Sequence, residues 1–277
     1  MFDKQAIEKL QENAAIKSLN SIVDDCELSR NVVLAPQEFT LHDLEKFSVN
    51  RSRFRGNVTT SSIESFAAYS ATHAADGAAV FIDANTMKAK LFIDIGNKER
   101  PGHCEHTASI TLEKTAAYVE LLKIVGERKS QKEIAEFIED WRANLRAWTE
   151  EDDNGFQSQI TIVKALHAVR KITIEAKSAS DSEVRNFGST STSMDSIDVK
   201  SADMPPAFFH FTCEPYAGLA SREFILRLSV ITDKSPALVL RIVKAEEHKE
   251  EMAKEFQNII ESSISEEIKS YVGNFTS

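Results

Sequence analysis

Three apolar-rich runs between Gly77 and Leu112 constrain this chain more than anything else in it, because the gaps between them are too short for crossover helices. The first is Ala78-Ala79-Val80-Phe81-Ile82-Asp83. In the second, Ala89, Leu91, Ile93 and Ile95 alternate with Lys88, Lys90 and Asp94. In the third, Ala108, Ile110 and Leu112 alternate with Thr107, Ser109 and Thr111. A period of two marks half-buried strands, and strands joined this closely pair antiparallel. The stretch therefore predicts three consecutive antiparallel strands with one apolar face that helices must cover.

The flanking segments supply helices. Residues 2–22 carry Ile7, Leu10 and Ala14 on one narrow stripe, which predicts a docking or oligomerising arm. Val32-Val33-Leu34-Ala35 before Pro36 reads as a short strand, and Thr40 opens a short helix through Leu41, Leu44 and Phe47. Ser61 with Glu64 fits a capping box for a helix presenting Phe66, Tyr69 and His73. Residues 113–125 form the next helix. Ser130 and Glu133 then cap a longer one, with Ile134, Phe137, Ile138, Trp141, Leu145 and Trp148 on its stripe. These two are expected to cover the Leu91/Ile93 face of the sheet.

The acidic run Glu150 to Gly155 predicts a boundary. Beyond it come a helix over 158–169, a strand at 172–176, a hairpin over 188–196 and a strand from Ala207 to Thr212. Two alternating strands follow, carrying Phe224, Leu226, Leu228 and Val230 and then Leu238, Leu240 and Ile242, with a turn over 233–236. A closing helix spans 246–271. The predicted class is α+β, with antiparallel sheets flanked by amphipathic helices and a long C-terminal helix. The predicted division is a helical arm over 1–29, an α+β domain over 30–150 and a second over 151–277.

The composition, 42% hydrophobic and 27% charged with 9 Gly and 6 Pro, is that of water-soluble domains. A net charge of -10 opposes general affinity for nucleic-acid backbones or anionic membranes. Cys26, Cys104 and Cys213 are isolated, so neither a disulfide framework nor a cysteine-rich zinc site is indicated, and a reducing cytoplasm fits. No apolar run has signal-core or membrane-spanning character. Walker-type loops and G-x-S-x-G elbows are lacking, which leaves ATPase and α/β-hydrolase readings without support.

Three constellations stand out. Asp94, His103 and His106 surround the loop between the second and third strands. Two imidazoles and a carboxylate could hold a metal or exchange protons. Their spacing is not the helical pairing of metalloproteases, so the reading is a polar strand-end cluster, with no catalytic residue, metal or cofactor assigned. Lys46, Arg51, Arg53 and Arg55, interleaved with Phe47 and Phe54, have the composition of a nucleic-acid contact. Arg222, Arg227 and Arg241 lie on adjacent strands and could form one patch or pair with Glu223 and Glu214. Met252, Phe256, Ile260, Ile264 and Ile268 make a stripe wider than one short sheet covers, and they are assigned to an oligomer interface.

Val32-Val33-Leu34-Ala35-Pro36, Ser65-Phe66, Phe81-Ile82-Asp83, Pro101-Gly102 with His106-Thr107, Glu133 to Asp140 and the Arg222 to Arg241 hairpin together resemble the YfdQ-like proteins of bacteriophages and prophages. The resemblance implies a phage origin and a bacterial cytoplasm, and it carries over no functional residue. The expectation is an accessory protein acting by self-association and binding rather than catalysis. The alternative is a DNA-transaction accessory protein using the basic loop, and behind it a metal-dependent hydrolase or nuclease using Asp94, His103 and His106. Expected partners are a second copy of the chain and a host or phage protein.

Overall fold

The structure is a computed structural model describing residues 3–24, 49–51, 53–149, 157–174, 183–186, 199–200, 206–232 and 237–276. The expected strand at 32–35, the short helix after Thr40, the hairpin over 188–196 and Lys46 lie outside these residues. The chain forms two compact units, Met1–Phe54 and Arg55–Ser277. Strands from both sides of the expected boundary at residue 150 pair within each of the larger unit's two main sheets.

In the first unit the described helix is α1 (Lys4–Asp24). None of its residues up to Ser21 is buried, and Ile7, Leu10 and Leu19 are exposed.

The second unit is α+β. Its first sheet is built on the three strands expected from the alternation, here β2 (Ala79–Asp83), β3 (Lys88–Phe92) and β4 (His106–Thr111), preceded by β1 (Gly56–Thr60). β2 pairs antiparallel with β3, and β3 with β4, with Leu91 opposite Val80 and Ala108. The sheet is wider than expected. β1 adds parallel to β4 on one edge, and Lys269–Val272, the chain's last strand, adds parallel to β2 on the other.

The face carrying Val80, Ile82, Ala89, Leu91, Ala108 and Ile110 is buried. Its cover is not the expected pair of helices. α2 (Ile63–His73) lies on β4 through Phe66, and it is capped by Ser62, one residue after the expected cap. The C-terminal helix packs on α2 and on the 3-10 turn Ala84–Thr86. The expected lid, α3 (Ala116–Ile124) and α4 (Gln131–Asp140), belongs to the second sheet. That sheet contains β5 (Leu145–Trp148), β6 (Gln159–Ile160), β8 (Glu183–Asn186), β10 (Phe208–Cys213), β11 (Arg222–Thr232) and β12 (Ala237–Ile242). α5 (Ile162–Arg170) packs on α4, and β7 (Thr173–Ile174) pairs with β9 (Val199–Lys200) in a separate ribbon. The turn between α3 and α4 is tied to β12 by Gly126 N–H donating to Leu240 O at 2.8 Å and by Lys129 pairing with Leu238. Those backbone bonds decide which sheet the helices serve.

Two predicted helices end early. α4 has the capping box of Ser130 and Glu133 as read, but it stops at Asp140. Asn144 then exchanges hydrogen bonds with Thr212, accepting from its N–H and donating Nδ2–H to its carbonyl, both at 2.8 Å. This starts β5 alongside β10. Leu145 and Trp148 are three apart, as on a helix, yet Leu145 and Ala147 are buried while Arg146 is exposed. Four residues satisfy either period, and the available strand edge decides.

The C-terminal helix, α6 (Ala245–Ser263), ends eight residues before Tyr271, and the chain turns into β13 (Lys269–Val272). Met252, Phe256, Ile260, Ile264 and Ile268 are 2%, 0%, 0%, 9% and 5% exposed within the chain's own core. Their assignment to an oligomer interface is corrected accordingly: the stripe is covered because α6 faces both sheets. At the second sheet, Arg222 binds Glu251 at 3.4 Å and Glu255 more closely, and the His248 ring lies 4.9 Å from Phe224.

Replacing Phe256 by Ala should therefore cost about 3–5 kcal/mol of folding stability, the usual range for emptying a buried aromatic site. Ile260→Asp should unfold the unit rather than dissociate it. Urea denaturation followed by circular dichroism checks both.

Candidate functional site

The loop between β3 and β4 is held by its own polar groups. Asp94 accepts from Glu105 N–H through Oδ2 at 3.0 Å and from His106 N–H through Oδ1 at 2.9 Å. Asn97 Oδ1 accepts from the N–H groups of Glu99 and Arg100 at 3.0 and 2.8 Å. Gly102 lies so close to the Asp94 carbonyl that a Cβ there would sit 1.7 Å from the oxygen. Gly77 meets Gly96 in the same way, with a positive φ of 84° that favours glycine. These contacts set Asp94 as a turn-fastening carboxylate.

His106 points from β4 toward α2, where Tyr69 and His73 occupy adjacent turns of one face. The Tyr69 hydroxyl and His106 Nε2 are hydrogen-bonded at 2.9 Å. The His73 ring stands edge-on to His106 at 5.4 Å and tilted against Tyr69 at 4.3 Å. His106 is 5% exposed. Burial, and then the neighbouring His73, hold its pKa below the ordinary imidazole value against the opposing pull of Asp94. The phenol and the imidazole share this hydrogen bond, with the donor set by the ring's tautomer.

The three weighed acid–base residues are not gathered into one centre. His103 is exposed on the loop, Asp94 is spent on backbone amides, and His106 is buried against α2. Among the described residues no three His, Cys, Asp or Glu side chains are placed to hold a metal ion. Cys104 sits in the left-handed region at φ 57°. Burial and the Asp94 charge raise its pKa, which keeps it a thiol rather than a nucleophilic thiolate. Cys213, buried on β10, is pushed up to about 11 by desolvation.

The basic loop divides between the units. Arg51 is exposed and Arg53 half-buried in the first. Arg55, in the second, pairs with Glu105 at 3.4 Å and so fastens the β4 entry. Of the second-half arginines, Arg227 and Arg241 are cross-strand neighbours on β11 and β12. Arg222 is on the opposite face with α6. Sequence reading placed Tyr69 and His73 on one helix face but could not join them to His106, since nothing local ties α2 to β4. It missed the outward direction of Trp148 because that residue was assigned to a helix.

A family model described as uncharacterized conserved protein (DUF2303) matches residues 3–275. The chain belongs to this family. The match spans both units, so the α1 arm and the two-sheet body are covered by one family description. No curated protein and no solved structure matches the chain.

The depressed pKa of His106 has a definite pH consequence. An unfolded imidazole takes its proton near pH 6.5, whereas the folded one resists until lower pH, so between the two values the unfolded state binds more protons. Stability should be full above about pH 6.5 and fall as pH drops below it. Urea midpoints measured from pH 7.5 to 5 should show this decline, and it should be shallower in His106→Gln.

Proposed function

We propose that the chain is a phage- or prophage-encoded accessory protein of the YfdQ-like kind, acting by self-association and binding in the bacterial cytoplasm. The observation that carries this reading is α1. It is a 21-residue helix with Ile7, Leu10 and Leu19 exposed and no buried residue up to Ser21. Helices gain most of their stability from packing an apolar face rather than from propensity, so such an arm is stabilised by laying that face on another chain. A second copy supplies a matching stripe at the same height. The C-terminal helix, committed to the core, leaves α1 as the terminal helix available for assembly.

One further observation supports a role without chemistry. The polar groups best suited to acid–base work are bonded to backbone and to Tyr69. Among the described residues no helix is long and apolar enough to cross a membrane.

Sedimentation equilibrium at tens of micromolar should show an assembly for the unaltered chain and a monomer for Ile7→Asp with Leu10→Asp. Ile7 and Leu10 belong to the first unit, and the thermal melt of residues 55–277 should be preserved. A monomeric unaltered chain, or a double variant that assembles like its parent, would overturn the reading.

A further inference from the structure

The entry into α6 is abrupt. β12 ends at Ile242, and Lys244, in the left-handed region at φ 56°, turns the chain into the helix. On the other flank the end of α3 is fixed to the same strand, with Val125 bridged to Leu240 and Gly126 N–H donating to the Leu240 carbonyl. Three elements thus converge on one point, and their side chains do not fill the space between them. A cavity of about 260 Å³ remains, and every residue lining it is a described residue of the second unit.

Its walls are apolar and largely aromatic. The Tyr118 and Phe224 rings stack at 5.4 Å, and the His248 ring is tilted against Phe224 at 4.9 Å. Leu122, Val125 and Ile242 supply aliphatic surface, whereas Ala245, at the first position of α6, contributes only a methyl group. Leu122 is 37% exposed, so the cavity reaches the surface beside it. The lining contains no carboxylate; Arg241 and Lys249 are its cations, and both are exposed. Lys249 holds Glu246 at 2.7 Å, an exposed pair of the kind that contributes little, and an ammonium group has three donors to share.

We propose that this cavity binds a small aromatic carboxylate, with one or two rings seated against Phe224 and Leu122 and the carboxylate turned toward Arg241 and Lys249. Unfilled apolar space forfeits dispersion contacts that a matching ring restores. An apolar cavity of about 150 Å³ is enough to take up benzene, so this one has room for a second ring. Charge complementarity selects the anion, because a neutral arene would fill the same space and leave both cations to water. The site lies wholly in the second unit and does not depend on self-association through α1.

The probe is 2-naphthoate, with 2-naphthylmethanol as its neutral counterpart, added to the full chain and followed through the methyl NMR signals of Leu122, Val125 and Ile242. Saturable shifts are expected at these methyls. Naphthoate should bind about fivefold tighter than the alcohol, the ratio that two exposed ion pairs supply, and the margin should shrink with salt. Leu122→Trp and Ala245→Phe fill the space from α3 and from α6 respectively, so each should abolish binding of both probes while the thermal melt is retained. Arg241→Gln with Lys249→Gln should lower naphthoate to the affinity of the alcohol and leave the alcohol unchanged.

Absence of methyl shifts at millimolar probe, undiminished binding in the folded filled variants, or equal affinity of naphthoate and the alcohol for the unaltered chain would each overturn the assignment. So would loss of assembly in Leu122→Trp, read by sedimentation without probe, since the cavity would then belong to a side chain of a second copy.

Discussion

Everything in the body of this protein depends on α6 having two sides to fill. Its Met252, Phe256 and Ile260 enter a core that also contains Val80 and Leu91 of the first sheet and Phe211 and Leu228 of the second. Its Glu251 and Glu255 hold Arg222 at the edge of that second sheet. A sheet exposes its apolar face unless something covers it, and one amphipathic helix with polar partners along one flank contributes cover to both. The half-buried ion pair adds orientation more than energy: Arg222 and Glu255 must be desolvated to meet, and their attraction mainly offsets that cost. The last strand, β13, then returns to the first sheet, so the C-terminal segment closes the structure from both ends.

The polar groups divide into two kinds. Around the β3–β4 loop they face one another: carboxylate to backbone amides, imidazole to phenol, guanidinium to Glu105. Buried polar atoms are costly without partners, and here the partners come from the chain itself, which explains why residue types suited to chemistry form a structural knot. On the outward face of the second sheet the Arg227 guanidinium lies over the Phe208 ring, and Arg146 and Arg241 are exposed. Net charge alone does not distinguish the two, because steering and binding follow the local distribution of charge.

Much of the fold was legible because the signals are local. Alternation gave β2, β3 and β4 and their antiparallel order, Ser130 with Glu133 gave the start of α4, and Phe224 to Val230 with Leu238 to Ile242 gave the inward face of β11 and β12. Phe66, Tyr69 and His73 were rightly placed on one face of α2. Each of these depends on backbone period or capping within a few residues, which the residue order specifies by itself. The α+β class follows from them.

What the tertiary structure alone decided was who meets whom. Leu145 to Trp148 suits a helix or a strand equally, and the open edge of β10, reached through Asn144 and Thr212, made it a strand. Ile264 and Ile268 continue the spacing of α6, yet the helix ends at Ser263 and the chain turns to pair with β2. His106 meets Tyr69 across 37 positions of sequence, and the cavity beside Ala245 draws on α3, β12 and α6. Local periodicity says which side of an element is apolar; it carries no information about which other element will cover that side. That choice is made by the competition among all buried surfaces and backbone hydrogen bonds at once.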